Sequence, residues 1–181
     1  AAYRALLIAR AQDLQVQYVE GSAIGVDLDP DGNVAALQLG GGERIEADLF
    51  VDCSGPAATV LASHPEFKLV DWSASLPTRK VYIGTSGPPA VALGDDLALV
   101  EKGWIVRYHG RDAVHAVFGA PGDVDPGYLR DTLKMQPVAS VALVAGRAEK
   151  PWIGNVVAIG DASARFEPLG PYHLDLAHRQ I

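Results

Sequence analysis

The chain has 181 residues, 49% of them apolar and 20% charged, and a formal net charge of −7. That length supports a domain with its own core, and the composition is that of an ordinary globular protein, so a disordered tail is excluded. The acid excess and the scattered basic residues exclude a nucleic-acid surface, because phosphate neutralisation supplies most of such an affinity.

The chain opens AAYRALLIARAQD. Arginines inside a helical pattern, rather than a basic stub before an apolar core, argue against a signal peptide. The first residue is Ala, so processing and truncation are both open. Residues 1–13 predict a helix with Tyr3, Leu6, Leu7 and Ala11 on one face. Gln15 to Glu20 alternates and predicts a half-buried strand. Ile24, Val26 and Leu28 alternate next, and Asp29-Pro30-Asp31-Gly32-Asn33 is a hairpin turn signal, since Asp, Gly and Asn tolerate positive φ. Val34 to Leu39 returns, Gly40-Gly41-Gly42 turns again, and Arg44 to Glu46 closes a small antiparallel meander. Leu49 to Cys53 is continuously apolar apart from Asp52, which suits a strand of a parallel sheet buried on both faces. Ser54-Gly55-Pro56 ends it. Residues 57–102 carry Pro65, Pro77, Pro88 and Pro89 and one clear apolar run, Lys80 to Gly84. Gly103 to Arg107 and Ala113 to Phe118 predict paired strands around His109-Gly110-Arg111. Pro126 to Met135 predicts a helix and Val138 to Val144 a strand. Asn155 to Ile159 predicts a buried strand ending at Gly160-Asp161, followed by a helix from Ala162 that Pro168, Gly170 and Pro171 interrupt. Leu174 to Ile181 resumes it. No apolar run approaches the roughly 20 residues of a membrane helix, so no membrane association is expected.

The chemistry concentrates where the strand 155–159 delivers Gly160-Asp161. Ligands of open α/β sheets lie outside the carboxyl ends of strands. Glycine permits close backbone approach, an Asp can accept bonds from ribityl or sugar hydroxyls, and a following helix would offer free N–H groups to an anion. The alternative is a plain strand-to-helix turn with Asp161 as N-cap. On these residues both readings are open.

Several segments together resemble the flavin-dependent tryptophan halogenase family, within the aromatic hydroxylase type of FAD-dependent monooxygenase. They are Ala47-Asp48-Leu49-Phe50-Val51-Asp52-Cys53-Ser54-Gly55, Gly103-Trp104, Gly146-Arg147, Trp152 with Gly154-Asn155-Val156-Val157-Ala158-Ile159-Gly160-Asp161-Ala162, and Phe166-Glu167-Pro168-Leu169. The matches run in family order from about residue 3 to 174, and 57–102 matches least. The resemblance implies a mixed α/β (α+β) fold: a partial FAD-binding fold, residues 1–56 and 146–181, and an antiparallel substrate-side sheet, 57–145. It implies FAD as cofactor, an aromatic small molecule as substrate and a separate flavin reductase as partner. In such proteins flavin reacts with oxygen, and a halogenase makes hypohalous acid that a lysine relays to the substrate. By position, Gly160, Asp161 and Ala162 would lie beside the ribityl and pyrophosphate, Ser54 and Gly55 on the dinucleotide path, and Pro168 and Leu169 at the isoalloxazine.

The departures are specific. The family continues Glu-Pro-Leu with Glu-Ser-Thr, whereas this chain has Gly170-Pro171-Tyr172. A glutamate is lost, and a proline removes an N–H where the family holds chloride. The relay lysine, the Trp-x-Trp-x-Ile-Pro signature and the opening Gly-x-Gly-x-x-Gly are absent; Gly40-Gly41-Gly42 joins two strands and is a turn. Either the chain is a fragment or the protein is degenerate. Halogenation by this chain alone is not expected, hydroxylation is as compatible, and a catalytically dead binding or assembly module is the rival.

Weaker candidates remain. Glu167 suits acid–base work or shaping its loop. His173 could donate at the flavin edge or be an exposed helix histidine. Trp104 could line a substrate cavity, while Trp152 reads as packing. Cys53, the single cysteine, leaves no disulfide framework, makes the cytoplasm the default location and reads as a buried inert thiol. Asp52 could bond backbone or ribose. His64, His109, His115 and His178 lack metal-ligand spacing, so no metal is expected; His109 and His115 read as surface residues. No Gly-x-Ser-x-Gly elbow occurs.

Overall fold

The computed structural model describes residues 2–92, 94–170 and 172–181, without the side chains of Ala2 and His173. Two units are present, Ala1–Asp48 and Leu49–Ile181.

In the first unit α1 (Ala2–Asp13) forms as expected. It ends on Gln15 at φ 63, with the Gln15 N–H donating to the Gln12 carbonyl and the Val16 N–H to that of Ala11, both 2.9 Å. This is a Schellman closure. The predicted apolar face stays largely open, with Tyr3, Leu6 and Leu7 exposed and Ala11 half-buried. The strand predicted over 15–20 does not form. The closure uses the N–H groups of Gln15 and Val16, and the meander takes its pairing partner from further along. β1 (Ala23–Leu28) pairs antiparallel with β2 (Val34–Leu39), and β2 with β3 (Arg44–Ile45). The turn between the first two works as read. Asp29 Oδ1 accepts from the N–H of Asp31 at 2.9 Å and of Asn33 at 2.8 Å, and Gly32 holds φ 87.

The second unit is built on a five-stranded antiparallel sheet whose strands lie in the spatial order 136–142, 80–85, 114–120, 103–109 and 96–100. Before it come β4 (Phe50–Asp52) and β5 (Leu69–Asp71). The sheet itself comprises β6 (Lys80–Thr85), β7 (Asp96–Val100), β8 (Gly103–His109), β9 (Val114–Ala120) and β10 (Gln136–Ala142). The GWIVR and AVHAVF segments pair as predicted, Trp104 opposite Gly119 and Val106 opposite Val117. Strand alternation separates the two faces. One face carries Tyr82, Ile105, Ala116, Phe118 and Ala120 into the core, where Leu129, Leu133 and Met135 cover them. These last three come from the segment predicted as a helix over 126–135. It forms a shorter helix, with Pro126 and Gly127 in α conformation and Tyr128–Thr132 as a π turn, and stops there because Lys134 turns to φ 53 and the Met135 N–H returns to the Leu129 carbonyl.

The other face of the sheet carries Trp104 packed flat on Gly119. A Cβ at Gly119 would overlap the indole ring. Gly119→Ala should therefore lower stability by about 1–3 kcal/mol, the cost of overpacking a filled interior. Urea unfolding checks it, and an unchanged midpoint would refute the contact.

Two smaller sheets follow. β11 (Gly146–Ala148) lies between β14 (Ala164–Arg165) and β5. β12 (Trp152–Ile153) pairs antiparallel with β13 (Val156–Ala158), and β13 pairs parallel with β4, Val156 opposite Phe50 and Ala158 opposite Asp52. The parallel pairing agrees with the apolar run 49–53, but burial is one-sided. Phe50 and Asp52 face inward, whereas Val51 and Cys53 are exposed, because this three-stranded sheet is covered on one face only. Cys53 is thus not the buried thiol expected. Partial desolvation and then the neighbouring Asp52 carboxylate push its pKa up, which keeps the nucleophilic thiolate scarce. Trp152, expected to pack, is 61% exposed and donates its Nε1–H to the Gly154 carbonyl at 2.9 Å. His109, expected at the surface, is half-buried in β8. α2 (Tyr172–Gln180) closes the chain. No helix among the described residues is long and apolar enough to cross a membrane.

Candidate functional site

The parallel strands β4 and β13 deliver two glycine-bearing turns to the same edge. After β4, Gly55 adopts φ +76, and a Cβ there would meet open space, so a ligand could approach the backbone closely. The turn is tied down by Asp52, whose side chain is 1% exposed. Its Oδ1 accepts the Ser54 N–H at 2.9 Å; its Oδ2 accepts those of Val60 at 2.9 Å and Leu61 at 2.8 Å. Of the two readings of Asp52 the backbone one holds, and its carboxylate is occupied. Ser54 Oγ accepts from the Thr59 N–H at 2.7 Å. After β13, Gly160 adopts φ 59 and opens a short 3-10 turn, Gly160–Ala162, that packs against the turn at Gly55.

The helix predicted from Ala162 is absent. The chain makes that single turn and enters β14, because Gly146 and Arg147 of β11 pair with Arg165 and Ala164. No helix N-terminus therefore follows Asp161 directly. Asp161 caps nothing either: the turn has no side-chain cap, and among the described residues no group donates to its carboxylate. The Gly160 N–H is occupied, donating to Gln180 Oε1 at 2.8 Å, while Gln180 Nε2 donates to Ser163 Oγ at 3.0 Å. α2 is thereby fastened to the turn.

Asp161 opens onto a cavity of about 300 Å³. One wall is the second face of the large sheet, with Val81, Ile83, Val117 and Val141. The facing wall is formed by Asp161, Arg165, Phe166, Glu167, Pro168 and Tyr172. An adjoining hollow of about 400 Å³ shares Phe166, Glu167 and Tyr172 and adds Leu76, Leu169 and Leu176. Glu167 holds the junction, its Oε1 accepting the Thr78 N–H at 2.9 Å. Buried Thr78 in turn accepts the Trp104 Nε1–H at 2.9 Å. Glu167 thus shapes its loop, and Trp104 is buried behind it and lines neither hollow. Phe166 lies against Trp72, ring centroids 5.3 Å apart.

Of the residues singled out in the sequence, Asp161 and Pro168 meet in the cavity and Leu169 borders the adjoining hollow. Ser54, Gly55, Gly160 and Ala162 form the paired turns at its side. The side chain of His173 and the whole of Pro171 lie outside the described residues. Sequence reasoning missed Arg165, Tyr172 and Gln180. A lone charge between Ala164 and Phe166 was the available signal for the first. The other two depend on how α2 folds back.

The sequence model of the tryptophan halogenase family matches residues 1–105, running through 57–102, where no family motif is legible. The chain is 27% identical over 172 residues to tryptophan 7-halogenase RebH of Lentzea aerocolonigenes, covering 87% of this chain and 32% of that protein. It is 25% identical to tryptophan 7-halogenase KtzQ of Kutzneria sp. (strain 744), with the same two shares covered. Among solved structures, BrvH, a flavin-dependent halogenase from Brevundimonas sp. BAL3, superimposes with a TM-score of 0.87 at 26% identity. That match covers 98% of this chain and 38% of BrvH. The chain therefore spans about a third of the length of the curated relatives it matches.

Proposed function

The chain belongs to the tryptophan halogenase family, and from that premise we propose that it forms part of an FAD-dependent oxidoreductase that uses oxygen to halogenate or hydroxylate an aromatic small molecule. One observation carries the reading. Two turns, each with a glycine at positive φ, leave the carboxyl ends of the parallel strands β4 and β13 side by side, where α/β folds hold nucleotide cofactors. The residues present fit FAD there. Gly55 leaves open space for backbone approach, the Ser54 hydroxyl and the Asp161 carboxylate can engage ribose and ribityl hydroxyls, and Gly160 and Ala162 flank the same path. Pro168 and Leu169 would border the flavin ring. When bound, FAD would supply the oxygen chemistry.

The chain's own contribution is placement. The sheet face carrying Val81, Ile83 and Val117 gives an apolar wall against which an aromatic substrate can lie. Glu167 fixes the facing loop through Thr78. On this reading 57–145 supplies the substrate side and the segments around it, 1–56 and 146–181, the cofactor side. A separate reductase would deliver reduced flavin, and the setting would be cytoplasmic. Hydroxylation stands beside halogenation because Gly170 replaces the family's glutamate. A catalytically inactive binding module is the second reading, favoured by one contact: the Gln180 side chain already occupies the Gly160 N–H.

Asp161→Ala should weaken FAD binding by about 0.5–3 kcal/mol, the worth of a hydrogen bond to a ligand hydroxyl. Calorimetric titration of the wild type and the variant checks it; equal affinities would remove Asp161 from the cofactor path. No FAD binding by the wild type would favour the inactive module.

A further inference from the structure

Gln180 does at the Gly160 turn what a ligand hydroxyl would do there. Its Oε1 accepts the Gly160 N–H at 2.8 Å, and its Nε2 donates to Ser163 Oγ at 3.0 Å. Gly160 and Ser163 are both buried, so their polar groups need a partner other than bulk water. One carboxamide satisfies both. It comes from outside the turn, since Gln180 is the exposed last residue of α2, 17 residues beyond Ser163. The turn is closed without it. The Ser163 N–H donates to the Gly160 carbonyl at 3.0 Å, the Ile159 N–H to that of Asp52 at 3.0 Å, and the Ala148 N–H to that of Ser163 at 2.8 Å. The Gln180 contact is therefore an addition to a finished turn.

The helix that carries it is lightly held. Among the described side chains of α2 none is buried; Leu176 and Ala177 are half-buried and the others exposed. An element with so few buried contacts opens at low cost. A group that replaces the carboxamide has to accept from the Gly160 N–H and donate to Ser163 Oγ, and a hydroxyl does both. On the proposed reading the ribityl hydroxyls of FAD run past this turn. A ligand that needs the contact open binds more weakly by the fraction of protein in which it is open. We propose that Gln180 is a self-inhibitory latch. It fills the polyol position of the Gly160 turn in the flavin-free protein and leaves when a ribityl hydroxyl takes the Gly160 N–H and Ser163 Oγ. This rests on the reading of the Gly55 and Gly160 turns as the cofactor side.

The test is calorimetric titration of the purified protein and of its Gln180→Leu and Gln180→Asn variants. The second keeps the carboxamide but shortens its reach by a methylene. The probes are FAD, riboflavin, which keeps the ribityl chain without the pyrophosphate, and lumiflavin, which keeps the ring without the ribityl chain. Circular dichroism confirms the fold of each variant. Both variants should bind FAD and riboflavin about three- to tenfold more tightly than wild type, the worth of a neutral hydrogen bond that no longer has to be broken. Lumiflavin should not distinguish the three proteins. A purely structural tether gives the opposite sign, because a loosened turn holds FAD less well. Equal or weaker FAD binding by the variants overturns the latch, and so does an equal gain for lumiflavin. Either result with FAD bound by the wild type defeats this inference alone. Absence of flavin binding by all three proteins defeats the broader reading and the latch with it.

Discussion

Replacing Asp52 by Ala is expected to lower the unfolding free energy by about 3–5 kcal/mol. Three backbone N–H groups, those of Ser54, Val60 and Leu61, converge on this buried carboxylate. Each buried donor left without an acceptor costs about 1–3 kcal/mol, and local relaxation and water entry recover part of the sum. Asp52→Asn should fall between the two proteins, because one oxygen still accepts while the amide group opposes a donor at the other. Urea unfolding of the three proteins measures this. A loss below about 1 kcal/mol for Asp52→Ala would mean that solvent already satisfies the turn. The consequence for function is local. Asp52 is what holds the Gly55 turn at the end of β4, so variants that stay folded should also lose order there.

The second large effect is expected at Phe118, which is fully buried between Tyr82 and Tyr128, at ring centroid separations of 6.0 and 6.2 Å. Phe118→Ala removes an aromatic ring from the core face of the large sheet and should cost about 3–5 kcal/mol. Phe118→Leu should cost less, since it refills most of the volume. Thermal unfolding measures both. Amide exchange should accelerate in β6, β8 and β9, the strands that pair directly around this residue. The same strands present Val81, Ile83 and Val117 to the cavity, so a loosened core face also softens the proposed substrate wall. Equal stability of the Ala and Leu variants would show that the site collapses without a cavity.

What could be read from the sequence was local chemistry. Asp29 to Asn33 carries its turn in its own side chains, and the hairpin formed where expected. Gly103–Arg107 and Ala113–Phe118 sit close in the chain with matching alternation, so their pairing was legible. The strand 156–158 was legible from its apolar run between Asn155 and Gly160. Gln15 to Glu20 alternates equally well, yet alternation names a strand only when another strand is free to pair, and that depends on the whole fold. The segment after Asp161 went wrong for the same reason: small residues suit a helix start, but β11 claims Ala164 and Arg165. At the site, the Gly-Asp turn and the Pro168 loop were legible as motifs. The contacts that fix them were not, because Thr78 reaches Glu167 across 89 residues and Gly160 reaches Gln180 across 20. Arg165 escaped notice since its place on the cavity wall depends on the large sheet, which is distant in the chain.

On the proposed reading, the turns at Gly55 and Gly160 serve one bound cofactor. Amide hydrogen exchange of the protein with and without FAD tests it most directly. Slowed exchange is expected at 54–57 and 160–162 together, with β7 unchanged. An FAD-dependent change that spares both turns, or no change at any amide, would contradict it.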